Sequence, residues 1–186
     1  FLAERGHAAY GWELGTNRGA SRELLDACRA RLQAIGARHA GERVSLVGWS
    51  LGGVYARELA KAHPPQVRCV VTLGSPFAGD PRSTSVAAIY QAVTGRPLRD
   101  DPERRARLRQ APPVPTSSIY SRSDGVVPWQ SSLNEDLPHT ENIEVESSHL
   151  GMGVHPWVLF VIADRLRQDP ARWRRFDRRA ALRGWR

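Results

Sequence analysis

A serine flanked by glycines, Gly48-Trp49-Ser50-Leu51-Gly52, sits where the apolar run "RVSLVGW" (Arg43 to Trp49) passes into a helical pattern. A serine hydroxyl is a weak nucleophile until a neighbouring base takes its proton, so Ser50 matters only if a base and its orienting acid lie elsewhere in the chain. A sharp strand-to-helix turn would expose the hydroxyl. Such a turn needs small residues, and a side chain at Gly48 or Gly52 is expected to collide with the adjoining backbone, with Gly53 extending the clearance. A helix starting at Leu51 would also aim its first backbone donors at an oxyanion forming beside Ser50.

Six histidines are candidates for the base. His7, His39 and His63 fall at a strand start or helix ends, and His139 in a polar loop. His149 directly follows the strand-like "ENIEVES" and is surrounded by small residues, which makes it the expected base. His155 is second, although its place before Pro156 reads as a helix cap. The acid should follow the preceding strand, and Asp124 does so in "TSSIYSRSDGVVP"; Asp136 is the alternative, deeper in the loop. Asp124-Gly125 is also a good turn pair in its own right, and a turn there would project the carboxylate at the strand end.

These residues need a frame that brings three strand ends together. "RVSLVGW", "VRCVVTL" (Val67 to Leu73), "TSSIYS" (Thr116 to Ser121) and "ENIEVES" (Glu141 to Ser147) read as strands, and "HAAYGWEL" (His7 to Leu14) as a further short one. Helices are expected from Ser21, as N-cap, to His39, from about Leu51 to His63, and from about His155 to Arg167, with Val158, Leu159, Ile162 and Leu166 facing the core. The alternation predicts an α/β fold, a doubly wound and mostly parallel sheet with helices on both faces. Such sheets gather chemistry at the C-terminal ends of their strands, where Ser50, Asp124 and His149 all fall.

The 186 residues form one expected domain, 1–186. No apolar run is long enough to span a membrane. Residues 78–115 differ in texture from their flanks, with a helical stretch "SVAAIYQAVTG", a charged run "RDDPERRARLRQ" and then "APPVP". The net charge is +8, with Lys61 the only lysine among 27 basic residues. Residues 168–186 form a basic tail, which reads as a solvated helix and a frayed end. It carries no aromatic-interleaved platform, so no nucleic-acid partner is expected, although it leaves room for contact with a lipid surface. Cys28 and Cys69 read as free buried thiols and do not settle the compartment; a cytoplasmic location is favoured and secretion left open. There is no metal-type spacing, dinucleotide fingerprint or phosphate-cradling loop, so no metal or cofactor is implied. Phe1 opens a helix-like run, "FLAERGH", which reads as a chain continuing upstream.

Taken together, "GWSLGG", "SRSDGVVP" and "SSHLGMGVHP" resemble the α/β-hydrolase family, in its lipase and esterase branch, and the chain order Ser50, Asp124, His149 is that family's order. The resemblance runs from Tyr10 to about Arg167. It implies Ser50 as nucleophile, His149 as general base and then acid, Asp124 as its orienting partner and the Leu51 N–H as one oxyanion donor. It also implies further strands ahead of "HAAYGWEL" and a second oxyanion donor from that region. Loss of such a donor lowers the rate on the order of 100- to 1,000-fold. Residues 78–115 would be a lid or cap, offering Val86, Ile89, Tyr90 and Val93 either to an acyl chain or to the core. Ser75 has no second histidine to pair with and reads as structural. The expected substrate is a small-molecule or lipid ester. Acyl transfer on the same triad and a non-catalytic binding protein on the same fold are the alternatives.

Overall fold

The computed structural model of the chain describes residues 1–17, 21–79 and 101–184, with positions 87, 88, 90–92, 95 and 97 between the last two. Four strands, β1 (Val44–Trp49), β2 (Val67–Leu73), β3 (Thr116–Tyr120) and β4 (Thr140–Glu144), form one sheet in the order β1-β2-β3-β4. Every neighbouring pair is parallel, and Trp49, Leu73, Ile119 and Ile143 lie side by side across it. The four strands therefore end together on one edge. Backbone bonds carry the ladder a step further, from Ser50 N–H to the Leu73 carbonyl (2.8 Å), from Gly74 N–H to that of Ile119 (2.9 Å) and from Val145 N–H to that of Tyr120 (2.9 Å).

Alternation along β2 builds the two cores. Val67 and Val70 pack with Leu32 of α1 (Arg22–Arg38) and with Ala56 and Ala60 of α2 (Leu51–Ala62). Cys69, Val71 and Leu73 point the other way, against Val158, Val161, Ile162 and Leu166 of α4 (Pro156–Arg167). A strand buried on both faces must be a continuous apolar run, which "VRCVVTL" is. Central β3 is buried along its whole length although four of its five residues carry hydroxyls, with Tyr120 donating to Glu144. The other three also find acceptors: Thr116 at the Val114 carbonyl, Ser117 at Glu141 and Ser118 at the Ser132 carbonyl. A buried hydroxyl left without one would cost about 1–3 kcal/mol.

Arginines and the lysine hold helix ends. Arg68 on β2 donates to the carbonyls of Leu166 and Gln168 at the C-terminus of α4. The charged run is itself helical, α3 (Pro102–Arg109), capped by Asp101, which accepts from the Arg104 N–H. Lys61 and Arg57 of α2 donate to its last carbonyls, at Arg107 and Leu108, and at Arg109 and Gln110, where a helix dipole favours a cation. The Arg57 guanidinium is buried, lies 3.6 Å from the Phe77 ring centre and bonds Asn134; burial pushes its pKa down to about 10, so it stays charged at neutral pH.

The expected helices and the four core strands are present within a few residues of their expected ends, and Ser21 caps α1 by accepting from the Leu24 N–H. The expected strand at His7 to Leu14 is not formed. Its alternation is that of a strand, but among the described residues no strand pairs with it. The Arg31 side chain instead holds the Gly11 carbonyl, Tyr10 bonds His39, and Trp12 stacks on Tyr55. The helix-like start is only a turn of 3-10 helix, Ala3–Arg5. Of the expected lid residues, Val86, Ile89 and Val93 lie outside the described residues, and Tyr90 is half-buried in a helical stretch.

The basic tail is not frayed over its described length. Beyond α4 it turns along β4, where Arg175 pairs with Asp136 and the Phe176 N–H donates to Glu141 (2.6 Å). A short helix, α5 (Arg178–Gly184), follows, and Arg178 reaches the Glu144 carbonyl. Arg165, buried on α4, anchors the turn through Glu141, Asp164 and the Arg174 carbonyl, with its guanidinium 5.2 Å from the Phe176 ring centre. Glu141→Ala strips one of the two carboxylates from the buried Arg165 and unpairs the Ser117 hydroxyl and the Phe176 N–H, so it is expected to cost about 3–5 kcal/mol. Urea unfolding measures this, with exposed Glu146→Ala as a control that should shift stability by no more than about 0.5 kcal/mol.

Candidate active site

Ser50 joins β1 to α2 with φ 54° and ψ −127°, a conformation that a residue with a side chain adopts only under strain. Close approach of strand and helix enforces it. A Cβ on Gly48 would lie 2.4 Å from the Gly53 Cα and 2.5 Å from the Gly52 carbonyl oxygen, and one on Gly53 would lie 2.0 Å from the Ser75 Oγ. A Cβ on Gly52 meets nothing within 4 Å. The expectation that Gly52 is sterically required is thus corrected: the second obligatory glycine is Gly53, because the inner side of the first helical turn faces the strand and Ser75. Ser75 is fully buried and donates to the Leu73 carbonyl (3.3 Å), a packing position. Leu51 is the first residue of α2, where backbone N–H groups have no partner within the helix.

Asp124 follows β3 in a tight turn. Its Oδ1 accepts from the N–H groups of Val126 (2.9 Å) and Val127 (2.8 Å), which fixes the carboxylate and leaves Oδ2 for His149 Nδ1 at 2.8 Å. The Asp124 side chain is 1% exposed and that of His149 6%. Burial is the largest single influence on the Asp124 carboxyl and pushes its pKa up. The bonds from His149, Val127 and Val126 together outweigh it, so the pKa lies below the ordinary value and the group is ionised at neutral pH.

The loop carrying His149 is tied to the acid turn and to β1. The buried Ser121 Oγ accepts from the N–H groups of Ser147 (3.2 Å) and Ser123 (3.2 Å), linking the ends of β3 and β4. Trp49 donates from its indole to the His149 carbonyl (3.1 Å), and its ring lies 5.4 Å from the imidazole. Gly74, at φ 50°, lies beneath the pair. A Cβ there would come within 2.8 Å of Asp124 Oδ2 and 3.1 Å of His149 Nδ1.

The structure therefore joins Asp124 and His149 directly, and ties Ser50 to them through Trp49 on one side and Leu73-Gly74 on the other. The alternatives lie elsewhere: His155 caps α4 by accepting from the Trp157 N–H, and Asp136 pairs with Arg175. Sequence reasoning missed Trp49, Gly74 and Ser121. Gly74 had a signal, as a glycine directly after a buried strand; Trp49 and Ser121 act through contacts that sequence spacing does not reveal.

A parallel sheet with a strained serine after β1, an acid after β3 and its bonded histidine after β4 defines an α/β fold with these three groups at one sheet edge. The model of the alpha/beta hydrolase family matches residues 4–186, and the chain belongs to that family. Aspergillus fumigatus lipase B is similar at 17% identity and a TM-score of 0.60, over 81% of this chain and 43% of its own. An esterase of Pyrococcus furiosus is similar at 15% identity and a TM-score of 0.57, over 83% and 64%. The monoacylglycerol lipase of Paleococcus ferrophilus gives 15% identity and a TM-score of 0.51, over 75% and 74%. At such identities the likeness is one of fold, and the chain spans less than half the length of the first of these structures. No curated protein sequence matches the chain significantly.

The turn geometry separates the glycines experimentally. Gly48→Ala should abolish folding of the turn, whereas Gly52→Ala, in open space on a helix, should be neutral or stabilise by about 0.4–1 kcal/mol. Thermal melting of the two variants beside the unsubstituted protein measures the contrast.

Proposed function

We propose that the protein is a serine-dependent hydrolase of carboxylic esters. The observation that carries this reading is the Asp124–His149 hydrogen bond of 2.8 Å, shielded from water at the sheet edge where Ser50 is held in a strained turn. Such a pair supports general-base chemistry at the histidine. An ionised carboxylate on Nδ1 fixes the tautomer that leaves Nε2 free to accept a proton, and it stabilises the imidazolium that results.

In the proposed reaction Ser50 Oγ attacks the ester carbonyl carbon while His149 takes the hydroxyl proton. The Leu51 N–H donates to the oxyanion of the tetrahedral intermediate, where a fixed donor is worth far more than in water. Collapse breaks the bond to the alcohol, which leaves with the proton from His149. Water then attacks the acyl-serine, giving up a proton to His149, which passes it to Ser50 Oγ as the acyl bond breaks and the carboxylic acid leaves.

The test is turnover of p-nitrophenyl esters of graded acyl length by the natural full-length polypeptide. Ser50→Ala and His149→Ala should abolish turnover with the fold intact. Asp124→Asn should lower kcat by on the order of 10⁴-fold, because the amide holds the imidazole in the wrong tautomer. Undiminished turnover by Ser50→Ala would sink the mechanism, and product analysis with a competing alcohol separates hydrolysis from acyl transfer.

A further inference from the structure

Trp49 is the residue before Ser50, yet its side chain engages the loop at the far side of the sheet edge. β1 and β4 are the two outer strands, and β2 and β3 lie between Trp49 and His149, which are 100 positions apart in sequence. The loop after β4 comes back over the strand ends to meet the indole, which makes two contacts to the same residue. Its N–H donates to the His149 carbonyl at 3.1 Å, and its ring lies 5.4 Å from the imidazole centre at an interplanar angle of 36°. The side chain achieves this while remaining 42% exposed, so burial alone does not hold it there.

The other supports of His149 all come from one side. Asp124 holds Nδ1, and Ser121 holds the loop through the Ser147 N–H; both belong to the turn after β3. Gly74 and Met152 fill the space beneath the pair. They fix the ring relative to the acid, and they reach the serine turn only indirectly, through the Ser50 N–H on the Leu73 carbonyl next to Gly74. Trp49 alone among the described hydrogen bonds ties the His149 residue to the segment that carries Ser50. Trp49 sits next to the strained Ser50 backbone, where β1 and α2 pack so closely that Gly48 and Gly53 have no room for a Cβ.

We propose that Trp49 is a positioning residue for His149, setting the distance between the imidazole and Ser50 through the indole N–H to the His149 carbonyl and the ring contact. The inference rests on the reading of His149 as the base, and a second readout separates the two. In the natural full-length polypeptide, Trp49→Phe keeps a ring and removes the N–H, whereas Trp49→Ala removes both. Both should fold, and both should label with a fluorophosphonate on the order of 10- to 100-fold more slowly than the unsubstituted protein, since a misplacement of about 1 Å costs that much. With a p-nitrophenyl ester the loss should fall on kcat and leave KM nearly unchanged.

The second readout is the proton NMR signal of the His149 Nδ1–H held by Asp124, far downfield of the amides. It should broaden through faster exchange with water in both variants, at temperatures where circular dichroism shows the fold intact. A purely structural role would lower the melting temperature without moving that signal. Unchanged labelling, a loss confined to KM, or a sharp and unshifted Nδ1–H signal in the folded Trp49→Phe protein would overturn the proposal. If the unsubstituted protein does not label but the Nδ1–H signal still responds to Trp49→Phe, the ester-hydrolase reading falls and the positioning role stands.

Discussion

The backbone of β1 and the first turn of α2 approach so closely at Ser50 that neither Gly48 nor Gly53 has room for a Cβ, and the site depends on that approach. It forces Ser50 into a left-handed backbone conformation, which costs on the order of 1–3 kcal/mol and must be held by the surrounding structure. The hold comes from burial on both sides: Val54, Tyr55, Ala56 and Ala60 of α2 are buried, and Ser75 closes against Gly53 from the loop after β2. The same turn points the start of α2 at the space above Ser50. The strain at Ser50 and the placement of the helix start beside it are thus consequences of one steric constraint.

Parallel pairing supplies the rest of the geometry. Because all four strands end on one edge, residues about a hundred positions apart in sequence reach the same place, and each loop adds one group: the serine after β1, a clearing at Gly74 after β2, the carboxylate after β3 and the imidazole after β4. An ionised carboxylate this poorly exposed survives only because each of its oxygens is bonded, Oδ1 to two backbone N–H groups and Oδ2 to His149. Electrostatics and packing therefore constrain each other: the cleared space at Gly74 lets the pair approach, and the pair's bonds keep the buried charge tolerable.

Much of this was legible in the sequence, for identifiable reasons. β2 is buried on both faces, so Val67 to Leu73 is apolar throughout, and its bounds coincide with the strand. Ser21 and His155 advertised their capping roles by preceding a helical pattern and a helix-starting proline. The residues from His7 to Leu14 misled because strand formation depends on a partner and not on alternation alone. The tail misled because its arginines look solvated until Glu141 and Asp136, some thirty to forty residues earlier, are brought beside them. Gly52 and Gly53 are adjacent and indistinguishable by pattern; only the direction of the first helical turn decides which one is crowded. Trp49 was visible as a residue and invisible as a contact, since nothing local marks an indole that reaches a carbonyl a hundred residues away.

The central claim is that Ser50 is activated by the His149–Asp124 pair. Fluorophosphonate labelling of the natural full-length polypeptide, with the modified residue located by mass spectrometry, tests it most directly. The account predicts a single adduct on Ser50 that disappears in the His149→Ala protein. A well-folded protein that takes no label, or that carries it on another residue, would contradict the account and favour a binding protein on a hydrolase fold.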